Sequence, residues 1–315
     1  MSRPVAALTG ATGFLGGWLV RTLDDAGYDL RLLVRRESAV PVVRGRAPEV
    51  IVGALDQDEA LERLVSGASV VIHAAGLIKA RSRQAFFDTN ATGVRGIAVA
   101  LQRCESGAHF VLVSSIVARR PDLSDYAASK AAGEAEAKVL LPPEQMTVVR
   151  PPAVYGPGDL ETLELFRAAS RLPILPLPGP SNARIALIHA ADAAAQIVAI
   201  AQTRPAGATY TLSDARPEGY RWREIMQAAS RAVGRSPRLL PVPAAAVRAV
   251  GAIGGVVGRL GGRLPILTPG KARELLHPDW AITPQEQAED LPSCRFDIST
   301  GFADTVAWGR AVGRL

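Results

Sequence analysis

Short, unbroken apolar runs alternate with longer amphipathic stretches through the first half of the chain. Val5-Ala6-Ala7-Leu8 opens the pattern, and similar runs fall near 4–9, 30–34, 49–53, 69–74, 109–114 and 145–150. Consecutive apolar residues without polar alternation suit strands covered on both faces, as in a parallel sheet. Between them the spacing predicts helices over about 13–26, 58–65, 85–104 and 124–140. This alternation predicts an α/β protein with a Rossmann-type, doubly wound parallel sheet. The pattern changes after Arg150. Pro151-Pro152, Gly156-Pro157-Gly158 and then Pro173, Pro176, Pro178 and Pro180 read as a loop-rich insertion. Residues 184–203 read as a return to the main sheet, and further helices are predicted near 221–233, 244–260 and 269–276.

The first strand runs into Thr9-Gly10-Ala11-Thr12-Gly13-Phe14-Leu15-Gly16. Three glycines spaced three apart between a strand and a helix suit a dinucleotide phosphate cradle. The first turns the chain, the second lets backbone approach a pyrophosphate, and the third lets helix and strand pack closely. The helix N-terminus then aims amide donors at the phosphates. The expected division is a dinucleotide-binding domain of residues 1–150 plus about 184–203, and a smaller C-terminal substrate lobe of about 151–183 and 204–315. The crevice is expected at the carboxyl ends of the strands, where Gly10, Arg35, His73 and Ser114 gather. Arg35 and Arg36 end the second strand, where an acidic residue would favour NAD. Planar guanidinium donors suit a 2′-phosphate instead, so NADP (NADPH) is the expected cofactor and NAD the alternative. Ser38 offers a hydroxyl to the same phosphate.

Tyr126-Ala127-Ala128-Ser129-Lys130 carries the second chemical signal. Four residues apart on a helix, Tyr126 and Lys130 share a face. A free phenol has a pKa of about 10, and a nearby ammonium lowers it toward the range useful for proton exchange. The chain has four lysines, Lys79, Lys130, Lys138 and Lys271, so one at this offset is informative. Ser114-Ser115 ends the fifth strand, where a hydroxyl could hydrogen-bond a substrate oxygen. The two serines are not separable at this stage.

Composition narrows the class. A 315-residue chain that is 48% hydrophobic can bury a full core. The net charge of +6 is spread over scattered arginines with no aromatic-interleaved basic stripe, so nucleic acid is not an expected partner. Cys104 and Cys294 lie in no metal-ligand pattern, so buried thiols and no metal are expected. The glycine loop begins too early for a signal peptide, and no apolar run reaches spanning length. A cytoplasmic protein acting on a small molecule is expected. The run at 244–262, interrupted by Arg248 and Arg259, reads as a helix packed in the second lobe.

These pieces together resemble the extended short-chain dehydrogenase/reductases of the NAD(P)-dependent epimerase/dehydratase superfamily. The matching segments are TGATGFLG at 9–16, LVRR at 33–36, HAAG at 73–76, NATG at 90–93, VSS at 113–115, YAASK at 126–130, RPPAVYGPGD at 150–159 and IHAAD at 188–192. The resemblance implies that Tyr126 is the general acid/base, that Lys130 lowers its pKa and binds the nicotinamide ribose, and that Ser115 polarises a substrate carbonyl. It implies cofactor contacts from Gly10, Thr12, Gly13, Phe14, Leu15, Gly16, Arg35, Arg36, Leu55, Ala74 and Ala75. Pro151 and Val154 would flank the nicotinamide, Asn90 would support the cofactor side of the sheet, and dimers through main-domain helices would fit the family. Some positions depart from the family pattern. Ala54-Leu55 replaces an acidic residue near the adenine, so that contact falls to the backbone or is lost. Ile116 and Val117, where dehydratases carry acidic residues, argue against dehydration. Arg184 is poorly offset from His189 for gripping a diphosphate.

The expected function is an NADP-dependent oxidoreductase passing a hydride between nicotinamide and a carbonyl or secondary alcohol. Ile253, Val256, Val257, Leu260, Leu264, Ile266 and Leu267 favour a hydrophobic substrate. A sugar-nucleotide epimerase with retained NAD and a non-catalytic NADPH-binding accessory protein are the alternatives.

Overall fold

The computed structural model describes residues 3–37, 40, 43–260 and 267–315. Ser38, Leu264 and Ile266 lie outside the described residues, as do the side chains of Val256, Val257 and Leu260. The chain forms two compact units. One comprises Met1–Pro151, Ala194–Thr211 and Ala288–Pro292; the other comprises Pro152–Ala193, Leu212–Gln287 and Ser293–Leu315.

The first unit is built from β1 (Val5–Thr9), α1 (Phe14–Asp25), β2 (Asp29–Val34), β3 (Glu49–Val52), α2 (Asp58–Val65), β4 (Val70–His73), α3 (Arg83–Phe87), α4 (Gly93–Arg103), β5 (His109–Val113), α5 (Asp125–Leu140) and β6 (Met146–Arg150). Every residue of β4 and β5 is buried, as their unbroken apolar runs require. Between α3 and α4 the helix widens into a single π turn, Asp88–Thr92, which carries Asn90. Such turns recur at functional sites. The core of this unit includes the fully buried Ile51, Leu61, Leu64, Ile97 and Phe110.

The second unit follows with β7 (Ala153–Tyr155), α6 (Leu160–Arg171), β8 (Ile174–Pro178), β9 (Arg184–Ile185) and β10 (Leu187–His189). Helix α7 (Ala190–Thr203) begins in this unit, and β11 (Thr209–Thr211) belongs to the first. Then come α8 (Trp222–Val233), β12 (Arg238–Val242), α9 (Ala244–Leu260), α10 (Pro269–Leu276), β13 (Asp279–Trp280) and α11 (Ile298–Ala311). The second core is organised by edge-on aromatic pairs, Tyr155 with Phe302 at 4.9 Å and Phe166 with Phe302 at 5.1 Å between centroids.

The main sheet has seven strands in the order β11-β6-β5-β4-β1-β2-β3, with every pairing parallel. The chain leaves β1 toward β2 and β3, then returns to its other side at β4. That reversal makes the carboxyl ends of β1 and β4 the switch point where ligands bind in such sheets.

The expected return of residues 184–203 is corrected for its strands, whereas Ala194–Thr203 of α7 does belong to the first unit. Strand β9 pairs with β13, and β10 with β7, in separate two-stranded sheets of the second unit. Ile185 and Leu187 are drawn there by the core around Tyr155 and Phe166. The strand that joins the main sheet is β11, alongside β6. Cys104 and Cys294 remain thiols but are half-buried, not fully buried as expected. Among the described residues no helix is long and apolar enough to cross a membrane.

Candidate active site

The turn after β1 is shaped by its glycines. Gly10 has φ +77°, and a Cβ there would come within 2.6 Å of the Ala74 carbonyl carbon and the Ala75 nitrogen. A Cβ on Gly16 would overlap the Gly10 carbonyl oxygen, so α1 could not start so close to β1. Gly13 donates its amide to the Gly10 oxygen at 2.9 Å and caps α1 with no side-chain bond. The amides of Phe14, Leu15 and Gly16 therefore lack intrahelical acceptors. The first turn carries no acidic residue, while Thr12 and Gly13 are exposed. This open, positive helix end fits a dinucleotide pyrophosphate.

The neighbouring strand end is tied to this turn through Thr9. Ala75 donates its amide to Thr9 Oγ1 at 3.2 Å, and the same hydroxyl shares a hydrogen bond with His73 Nδ1 at 2.8 Å. His73 Nε2 has no hydrogen-bond partner among the described residues. Burial, and secondarily the charge of Lys130, hold the His73 pKa down at about 3. Its folded pKa lies below the unfolded value of 6.5, so its contribution to stability is complete above pH 6.5 and is lost as pH falls toward about 3. The wild type should lose up to about 1.4 kcal/mol more per pH unit in this window than His73→Gln. Urea unfolding at successive pH values would show this, and equal slopes for the two proteins would remove His73 from the account. His109, held down at about 4 chiefly by burial, adds a slope that both proteins share.

Arg35 and Arg36 stand exposed just past β2, next to β1 in the sheet. Leu55 is half-buried, packed on the first core, with its side chain where a Cβ on Gly93 would fall. The amide of Asn90 is fully used by protein. Its oxygen accepts from Leu77 N at 2.8 Å, and its nitrogen donates to Leu77 O and Ser129 Oγ, both at 2.9 Å. Asn90 thus holds the loop after β4 against α5. Ala74 and Ala75 are half-buried beside Gly10. Pro151 closes a segment of the first unit, whereas Val154 lies on β7 of the second.

The adjacent serines are distinguished by their surroundings. Ser114 is buried and donates its hydroxyl to Glu134 Oε1 at 2.6 Å. Arg150 grips the same carboxylate with both arms, Nε to Oε1 at 2.8 Å and Nη2 to Oε2 at 2.6 Å. Ser115 is only half-buried, and its side chain makes no capping bond to the short 3-10 turn that follows. Ser115 is thus the better placed of the two hydroxyls to meet a substrate.

Ser124 caps α5 by accepting from Ala127 N at 2.9 Å, which starts the helix one residue before Tyr126. Tyr126 is half-buried, its ring 6.1 Å from that of Phe86. Lys130 follows one turn later and is buried, its Nζ donating to Val113 O at 3.0 Å. A Cβ on Gly76 would lie 3.1 Å from that Nζ, so the glycine of the HAAG segment makes room for the ammonium. Burial lowers the Lys130 pKa to about 8, and Glu134, one further turn along, opposes the shift. One helix face thus carries Tyr126, Lys130 and Glu134 in register. The first two were expected; Glu134 was missed, because its importance comes from Ser114 and Arg150 on other elements.

The IHAAD segment belongs to a different constellation, within the second unit. His189 is buried, stacks on Phe296 at 3.9 Å and lies 3.3 Å from Asp304. Asp192 accepts the backbone amides of Arg295 and Phe296 at 3.1 and 3.0 Å. The segment therefore fastens residues 295–296 to the first turn of α7.

A model of the NAD dependent epimerase/dehydratase family matches residues 6–212. The chain belongs to this family. It is an NAD(P)-dependent oxidoreductase, in keeping with its similarity to proteins named as reductases. A ceramide reductase of Caulobacter vibrioides is 46% identical over 314 residues, covering 100% of this chain and 97% of that one. A 4-hydroxy-2-methyl-3-oxo-4-farnesyl-3,4-dihydroquinoline-1-oxide ketoreductase of Stigmatella aurantiaca is 28% identical over 229 residues, covering 67% of this chain and 68% of the other. Among solved structures, gox2253 superposes with a TM-score of 0.78 at 19% identity, covering 100% of both chains. MoeE5 in complex with UDP-glucose and NAD gives 0.72 at 19% identity, over 98% of this chain and 99% of that one. At such identities the structures establish the shared fold.

Proposed function

We propose that this protein reduces a ketone on a ceramide-class lipid with NADPH. The observation that carries the reading is the end-to-end 46% identity with a ceramide reductase. The substrate named for the Stigmatella relative also joins a ketone to a long apolar chain.

When bound, the dinucleotide supplies the two-electron reducing equivalent. The Gly10 turn and the first amides of α1 hold its phosphates. Arg35 and Arg36 offer planar donors to a 2′-phosphate, and Lys130 binds the nicotinamide ribose. Ser115 donates a hydrogen bond to the ketone oxygen, and Tyr126 gives that oxygen its phenolic proton as the alcohol forms. The Lys130 ammonium, anchored on Val113 O, stabilises the phenolate left behind. Glu134 and Arg150 keep Ser114 turned inward, so that Ser115 is presented to substrate.

The test is a mass measurement. Incubation with NADPH and a ceramide bearing a ketone in place of its secondary hydroxyl should yield the alcohol, with one NADPH consumed per product. No product from the keto-lipid, alongside turnover of a sugar nucleotide, would reject the reading. For the cofactor, Arg35→Ala should weaken NADPH binding by about tenfold or more, the value of a charge-assisted hydrogen bond, and leave NADH nearly unchanged. Equal weakening of both, measured by fluorescence titration, would reject the 2′-phosphate assignment.

A further inference from the structure

Helix α9 (Ala244–Leu260) carries an apolar stripe that the fold leaves uncovered. Its described turns bury Val247 and Gly251, and a Cβ on Gly251 would come 2.9 Å from Ala272 Cβ on α10. On the far side Ala246, Ala249, Val250 and Ile253 follow the i, i+3, i+4, i+7 spacing of one helical face. All four are exposed, Val250 at 56% and Ile253 at 63%. Leu240, on the strand β12 that leads into the helix, is 47% exposed. The expectation of a helix packed into the second lobe therefore holds for one face only.

The charge around this face is one-sided. From Ile225 to Arg273, 49 residues, the chain carries seven arginines and one lysine and no Asp or Glu. All 30 acidic residues lie in the other 266 positions, although the whole chain is only +6. Arg238 stands exposed two residues before Leu240, on the same face of β12. Exposed apolar residues on a helix within a cationic tract that carries no acidic residue match the surface of an anionic bilayer, where the stripe enters the acyl boundary and the cations meet lipid phosphates. A second copy of this chain is a poorer occupant, because a two-fold contact would set one cationic, acid-free tract against itself.

We propose that the α9 face docks this protein on anionic phospholipid membranes. The α9 stripe and the charge of its tract are independent of the substrate reading. If the substrate is a long-chain lipid, docking also brings the second unit to the surface where that lipid resides.

Co-sedimentation of the full chain with vesicles tests this. Vesicles of phosphatidylcholine mixed with phosphatidylglycerol should bind at least about tenfold more protein than phosphatidylcholine alone, and high salt should abolish the difference. Val250→Asp combined with Ile253→Asp should lower binding to the anionic vesicles by about tenfold or more. Arg238→Glu, a separate variant at an exposed position, should lower it by a comparable factor. Circular dichroism of each variant should match the wild type, since none of the three side chains is buried. Equal binding to both kinds of vesicle, binding to neither, or unchanged binding by folded variants would overturn the proposal. So would light scattering that shows a dimer broken by these substitutions while vesicle binding persists, which would assign the face to a second copy.

Discussion

Tyr126→Phe is expected to lower kcat by roughly 10²–10⁴-fold, the span of a positioned general acid, and to leave NADPH affinity nearly unchanged. The substitution removes one oxygen and keeps the ring beside Phe86, so the packing of α5 is retained. The groups assigned to the cofactor are backbone amides at Gly10 and α1, exposed arginines after β2, and the ammonium of Lys130. None of these is lost. Lys130 keeps its bond to Val113 O, because that contact does not involve the tyrosine. The effect should therefore fall on turnover and not on binding. Steady-state rates with NADPH in excess, together with a titration of NADPH fluorescence, separate the two. A variant with wild-type kcat would take Tyr126 out of proton transfer. A variant that no longer binds NADPH would mean that the phenol shapes the cofactor site instead.

The second large effect is on stability. Glu134→Ala should destabilise the protein by about 3–5 kcal/mol, as expected when one partner of a buried ion pair is removed. The Arg150 side chain retains 20% exposure, so water can partly solvate it and the loss belongs at the lower end, near 3 kcal/mol. The same truncation strands the buried hydroxyl of Ser114. Glu134→Gln keeps one acceptor for Ser114 and the shape of the side chain, so it should lose less. Urea unfolding of the three proteins gives the comparison. Because Glu134 also opposes the depression of the Lys130 pKa, its loss should let that pKa fall further below about 8. The alkaline limb of the kcat profile would then move to lower pH, a change that loss of packing alone does not produce. An unmoved limb, or an Ala variant as stable as wild type, would contradict this role for Glu134.

Six strands of the main sheet were legible because each holds a short apolar run, as a strand covered on both faces requires, whereas β11, Thr209–Thr211, has none. The nucleotide turn was legible because Gly10 and Gly16 stand where any side chain would strike backbone. Tyr126 and Lys130 could be paired because four residues is a local spacing. What stayed hidden depends on partners remote in sequence. Strands β9 and β10 have two and three residues, too few to show a period, and their pairing is decided by the core around Tyr155 and Phe166. The π turn at Asp88–Thr92 follows a five-residue helix with no buried residue, too short for the phase shift of an added residue to show in the sequence. Ser114 and Ser115 are neighbours of one residue type. What separates them is a carboxylate 20 positions away, itself clamped by Arg150. Local spacing supplied two members of the proposed site, and the preference for Ser115 over Ser114 rests on contacts remote in sequence.

The most direct test of the central claim is isotopic. With NADPH carrying deuterium at nicotinamide C4 on the transferred face, a keto-ceramide should give an alcohol with one deuterium on its carbinol carbon, formed together with one equivalent of NADP. An alcohol without the label, or label that stays with an enzyme-retained cofactor while a sugar nucleotide is epimerised, would contradict the account.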